Sequence, residues 1–206
     1  MNRVVRAFCW GLLAACSGQP VPRPRLTAEM YPWRLREPAA LGRDFLWQQR
    51  LTARTGARED SLTVAVQKKG NTLTLIGLTP FQTKAFVLRQ DGTDVQFQSF
   101  VDREMPFPPR FVLVDVQRAY LALAGDATPA LVGHRSWPLD GEQVDEHYAE
   151  HQLTERRFRR LDGQPPGVVR IRYQGRWPGG APKRVVIDNG WFGYTLTVET
   201  VAETAL

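Results

Sequence analysis

Period-two alternation of apolar and polar residues dominates the chain between residues 45 and 101. Ser61–Val66 alternates large apolar with small or polar residues. Thr72–Leu75 does the same, before Ile76 and Leu78 make the run apolar on both faces. Phe45–Ala53 places Phe45, Trp47, Gln49 and Leu51 on one side. Lys69-Gly70-Asn71 and Asp91-Gly92 are turns, the second joining Ala85–Gln90 to Val95–Val101. Alternation cut by Gly, Asn and Asp predicts antiparallel strands in hairpins. The period changes after the stop at Pro106-Phe107-Pro108-Pro109. Phe111, Val114, Arg118 and Leu121 make one helical stripe, and Val112, Val116, Tyr120 and Leu123 a second. Pro109 and Gly125 suit the two ends of that helix.

Strands return at Glu155–Leu161, Val168–Gln174, Arg184–Asp188 and Tyr194–Val201. Their turns are Asp162-Gly163, Trp177-Pro178-Gly179-Gly180 and Asp188-Asn189-Gly190. Between the two groups, Ala127–Gly141 reads as irregular and Asp145–Leu153 as a short helix or loop. Eight or nine strands with one or two helices result, and no internal repeat is visible. A sheet with one apolar face must curl or be covered, so the class is mainly β with helices.

The first fifteen residues differ from the rest. Arg3 and Arg6 head a short apolar run from Ala7 to Ala15. About nine residues cannot span a bilayer, which needs about twenty, but they fit a secretory signal. Leu13-Ala14-Ala15-Cys16 resembles a bacterial lipobox. That resemblance implies cleavage before Cys16 and acylation of its thiol and its new amine, with residues 1–15 as signal peptide. Ser17 resembles an outer-membrane address. Gly18, Pro20, Pro22 and Pro24 follow at once, a tether composition. Residues 16–42 are therefore expected to be the acylated Cys and a linker, with a single domain over 43–203.

Cysteine usage agrees. Cys9 leaves with the signal and Cys16 is acylated, so no disulfide is expected and stability must come from burial. The remaining chain of about 190 residues suits one domain. The formal charge is +6, and +4 without Arg3 and Arg6. That balance favours anionic partners weakly. Nucleic acid does not fit an exported, lipid-tethered chain.

Lipobox, tether, five-strand meander, helix and second strand set follow the order of the LolA/LolB family of lipoprotein carriers and outer-membrane receptors. The local resemblance is Leu73–Gly92, with a strand, a Thr79-Pro80 loop where that family has a Thr-x-Pro-Leu-Gly-type loop, a second strand and a turn. It implies an incomplete antiparallel barrel closed by lid helices over an apolar cavity. Phe81 falls where that family carries an exposed apolar residue on a protruding loop, implicated in delivering lipid to the membrane. Gln82 departs from the family's Gly at the next position. Leu41-Gly42, Gln48-Gln49, the Asp91-Gly92 turn and Phe111–Tyr120 also resemble a bacterial lipoprotein family often encoded in aryl-polyene gene clusters, beside LolA-like carriers and exporters.

Candidate residues follow. Trp47, Phe86, Phe97, Phe111, Val114 and Tyr120 either pack a core or line a cavity between sheet and helix. Phe81 either folds back on the core or inserts into lipid. Arg156–Arg160 is the densest charge run: Arg157 and Arg159 share the outward face, Phe158 turns inward. Arg157 and Arg159 are either solvated edge protection or a seat for anionic headgroups. His147-Tyr148-Ala149-Glu150-His151 matches an inverted zinc-peptidase pattern if helical, but lacks a third ligand. No nucleophile elbow or phosphate loop is present.

The expectation is a half-barrel (α+β) covered by one or two lid helices, non-catalytic and without cofactor. It would be a monomer anchored in the outer membrane by Cys16, facing the periplasm. It would bind an apolar or acylated ligand and hand it over, with a LolA-like carrier or exporter as partner. The alternative is a scaffolding lipoprotein with a filled core that recruits an export or biosynthetic partner.

Overall fold

The computed structural model describes residues 31–102, 108–123, 132–177 and 180–206. Cys16, the signal segment and the first part of the tether lie outside them. Five strands come first: β1 (Phe45–Thr55), β2 (Arg58–Lys69), β3 (Thr72–Leu78), β4 (Lys84–Asp91) and β5 (Asp94–Ser99). Helix α1 (Pro109–Tyr120) follows. Then come β6 (Val132–Leu139), β7 (Glu142–Ala149), β8 (Gln152–Arg160), β9 (Val169–Arg176), β10 (Pro182–Asn189) and β11 (Tyr194–Ala205).

Each group is an antiparallel meander, and β11 pairs with β1 to fuse them into one eleven-stranded sheet. The edges are therefore β5 and β6, which are consecutive in the chain. The connection between them has to cross from one edge to the other, and α1 lies on that connection. A twisted sheet of this width curls, and α1 packs on its concave face.

Alternation decides what meets the helix. Val64, Val66, Leu73, Leu75 and Leu88 are buried on the β1–β4 side, with Leu113 of α1. Val144, Phe158, Ile171, Ile187 and Leu196 are buried on the β7–β11 side, with Phe111 and Val114. Gly77 of β3 leaves room for a neighbour: a methyl group there would sit 2.2 Å from the Phe86 ring. The missing side chain lets Phe86 lie flat over the sheet.

Four expectations are corrected. Residues 132–139 are the edge strand β6, not irregular chain. Pro138 disguised it, and proline is tolerated where no neighbour needs its N–H. Asp145–Leu153 is neither helix nor loop but β7, a turn and the start of β8. The inward positions of β7 include Glu142 and Glu146, so apolar alternation is hidden. The helix stops at Tyr120, three residues early, where Leu121 turns extended. Finally, residues 31–42 are not wholly linker. Tyr31 and Trp33 are core residues, and Pro38–Leu41 forms a turn of 3-10 helix. Among the described residues, no helix is long and apolar enough to cross a membrane.

Candidate functional site

The two helical stripes divide the work of α1. Phe111, Val114 and Arg118 are fully buried against the β7–β11 half. Val112, Val116 and Tyr120, four residues apart, are only half-buried. They face a void. This cavity holds about 360 Å³ between the helix and strands β1–β4, β10 and β11. Leu51, Leu62, Val64, Leu75, Phe86 and Val116 represent its lining, which is almost wholly aliphatic and aromatic. Its polar exceptions include Gln49, Asp60, Ser61 and Asp115.

Asp115 of the helix is held by two phenols, one from the segment before β1 and one from β11. Tyr31 and Tyr194 each donate a phenol hydrogen bond to its carboxylate, at 2.5 and 2.7 Å. Asn189 donates to both phenol oxygens. Burial nevertheless pushes the Asp115 carboxyl up to about 6, against the pull of the two phenols and Arg118.

A second cavity of about 580 Å³ lies beyond the C-terminal end of α1. It is lined by Phe45, Trp47, Leu121 and Tyr173 together with Arg43, Glu146, His151, Arg156 and Arg176. The two cavities have Ala119 and Tyr120 as common walls. Gln49 donates to the Tyr120 hydroxyl at 3.2 Å across that partition.

The helix is fixed rather than hinged. Arg156 of β8 donates to the carbonyls of Arg118 and Leu121, and Tyr173 of β9 to that of Ala119. These bonds satisfy carbonyls that a helix end leaves open, and the cation suits the negative end of the helix dipole. Residues 31–36 bind the other side: Trp33 Nε1 and the Arg36 amide donate to Gln117, and Arg110 donates to the carbonyls of Tyr31 and Trp33. A lid swinging about its ends would break all of these together.

The candidate residues scatter accordingly. Phe86 and Tyr120 line the apolar cavity, and Trp47 lines the second one, stacked on Phe45 at 3.7 Å. Phe111 and Val114 line neither; they are core, because their stripe faces the filled half. Phe97 sits on edge strand β5, 39% exposed and 6.1 Å from Phe86. Phe81 is 88% exposed. Its loop is tied by Thr79, whose hydroxyl accepts from the Phe81 and Thr83 amides. Gln82 takes a left-handed φ of 62° there, the conformation a glycine would adopt freely.

Arg157 and Arg159 lie on the convex face, away from both cavities. Arg157 pairs with Glu155, and Arg159 is exposed. The inward members of the same run do the structural work. His147 points outward from β7, its ring 4.7 Å from that of His134, while His151 sits in the following turn. The helix that the zinc pattern needed does not form. Among the described residues no cluster of three or more metal-ligating side chains occurs. Tyr31, Arg118, Glu142 and Glu146 were missed as organising residues; Tyr31 and Trp33 were the visible signal, two aromatics in a proline-rich segment.

A sequence-family model described as "Protein of unknown function (DUF3261)" matches residues 46–202. No curated protein matches the sequence. Among solved structures, a LolA superfamily protein from Nitrosomonas europaea is 14% identical, with a TM-score of 0.50 over 84% of this chain and 89% of that one. A putative outer membrane lipoprotein-sorting protein domain from Vibrio parahaemolyticus is 8% identical, with a TM-score of 0.45 over 79% and 85%. A DUF1329 family protein from Desulfovibrio piger is 9% identical, with a TM-score of 0.37 over 82% and 88%. The likeness to the Nitrosomonas protein shows the fold: an open, curved antiparallel sheet around one helix, as in the LolA superfamily.

Proposed function

The chain belongs to the DUF3261 family, and from that premise we propose that it is a lipid-anchored carrier or acceptor for an apolar or acylated chain. Cys16 would fasten it to the outer membrane, facing the periplasm. The guest would lie in the cavity under Val112, Val116 and Tyr120, and pass to or from a LolA-like carrier or an exporter. A long acyl chain and an aryl-polyene chain are both candidates by shape. No bond is made or broken in this role.

The observation that carries the reading is the apolar cavity itself. Its 360 Å³ lies within the range of small-molecule sites, roughly 300–1,000 Å³. Removing a hydrocarbon chain from water contributes about 25 cal/mol per Å² of apolar surface covered. Phe81, held out on its tied loop, supplies a contact for the bilayer or for an emerging chain. The LolA-like fold supports the reading at the level of architecture.

Native mass spectrometry of the detergent-extracted full chain tests it. Wild type is expected to carry co-purified lipid, and Val116→Trp to carry none while melting no lower than wild type. Tryptophan at 116 fills the void that a guest would occupy, and filling a void is not destabilising in itself. Cys16→Ser should leave the protein unacylated and free of the membrane. Wild type devoid of lipid, or Val116→Trp retaining it, would overturn the binding role.

A further inference from the structure

The second cavity differs from the first in charge, and it suggests which kind of guest the protein takes. We propose that the guest is an anionic amphiphile occupying both chambers. Its chain lies in the apolar one, and its charged end at the rim of the other, beside Arg176 and Arg43. This rests on the binding role proposed above and narrows it to a ligand class.

Continuity is the first support. Ala119 and Tyr120 wall both chambers, and Gln49 holds the Tyr120 hydroxyl at that shared wall. Gln49 has a second partner, the Thr200 hydroxyl at 3.3 Å, and keeps it when Tyr120 turns aside. A chain entering tail-first through the wider chamber would pass that pair and reach the aliphatic wall.

Charge is the second. Three arginines and one glutamate line the wider chamber. Arg156 is neutralised by Glu146 at 2.5 Å, and Arg43 pairs with Glu203 at 2.9 Å. Arg176 donates to the Gly180 carbonyl at 2.8 Å, and no carboxylate among the described residues pairs with it. The chamber therefore keeps a net positive charge. Arg176 and the Arg43 side chain both reach solvent, so an anion there stays partly hydrated and is not stripped at great cost. The C-terminal end of α1 would repel an anion. Arg156 and the Tyr173 hydroxyl cover its carbonyls, and the repulsion is blunted.

Aromatic walls are the third. Trp47, Phe45, Tyr148 and Tyr173 surround the same space, which suits the first methylenes below a headgroup.

The probe is cis-parinarate, a fluorescent polyene carboxylate, set against its uncharged methyl ester. Both are titrated into the full chain in detergent-free buffer. Wild type is expected to bind the carboxylate about tenfold more tightly, the effect of one charge-assisted contact. Added salt should shrink that preference. Arg176→Gln should remove most of it while binding the ester as wild type does, which also certifies the fold. Equal affinity of wild type for acid and ester would sink the headgroup seat and leave the carrier role standing. A preference that survives in both Arg176→Gln and Arg43→Gln would place the charged end elsewhere and also sink it. Binding of neither probe would remove the carrier role and this inference with it.

Discussion

Arg118→Met is expected to lower the free energy of unfolding by about 3–5 kcal/mol, the usual cost of stripping one member from a buried ion pair. Arg118 and Glu142 both have side chains with no solvent exposure, joined at 2.6 Å. The guanidinium lies 4.6–5.1 Å from the ring centres of Tyr31, Trp33, Phe158 and Trp191. Its Nη2 also donates to the Pro32 carbonyl at 2.7 Å. Nε and Nη1 have no hydrogen-bond partner; the ring faces take their place, as cation–π contacts allow. Methionine reproduces the length and the contact with aromatic rings but leaves the Glu142 carboxylate facing hydrocarbon.

That reasoning makes the loss recoverable. Adding Glu142→Leu to Arg118→Met removes the stranded charge, and the double variant should regain most of the stability. Urea unfolding followed by tryptophan fluorescence reads wild type and both variants. A single-variant loss under about 1 kcal/mol would mean the cage does not depend on its cation. Failure of the double variant to recover would mean that the arginine's shape, not its charge, matters. The cage has a positional consequence too. Tyr31 and Trp33 belong to the segment that precedes β1, so the same cation that anchors α1 also ties that segment to the core.

The outline was legible because most strands alternate cleanly. Phe45–Ala53, Thr72–Leu78 and Tyr194–Val201 put apolar side chains inward with a period of two, and Gly56, Gly70 and Gly193 stand in their turns where positive φ is needed. The two stripes of α1 were legible as stripes. Periodicity says which residues share a face; it does not say whether that face meets a filled core or a void. Phe111 and Val114 were thus equal candidates with Phe86 and Tyr120, and only the packing separates them. Strand β7 was hidden for the opposite reason. Glu142 and Glu146 point inward, since Arg118 and Arg156 need them, and paired charges in a core carry no hydrophobic signal. The second cavity was invisible for want of any local pattern. Arg43, His151 and Arg176 meet there from three distant parts of the chain.

Between about pH 3 and pH 7.5, wild type is expected to lose about 3 kcal/mol of stability relative to Asp115→Asn. The direction follows from the carboxyl at 115, whose folded value is raised from 3.8 to about 6 by burial. Well below pH 3.8 the group is protonated whether the chain is folded or unfolded, and its contribution is fully present. As pH rises, the unfolded chain releases the proton first. The folded chain holds it until about pH 6, so stability falls through that window and levels off above it. Asparagine cannot titrate and keeps one carbonyl oxygen for a phenol, so its own curve lacks this step. Taking the difference of the two proteins at each pH cancels every other titrating group. Surface carboxylates such as Asp44 and Asp162 shift the other way, held lower than usual because Lys68 and Arg160 bond them. A difference that stays flat, or that rises with pH, would mean that Asp115 is ionised throughout and that the bonds from Tyr31 and Tyr194 outweigh its burial. The step also bears on the guest, because Asp115 lines the apolar cavity. Below pH 6 that wall is neutral and better matched to hydrocarbon, and chain binding should strengthen in the same window in which the fold does.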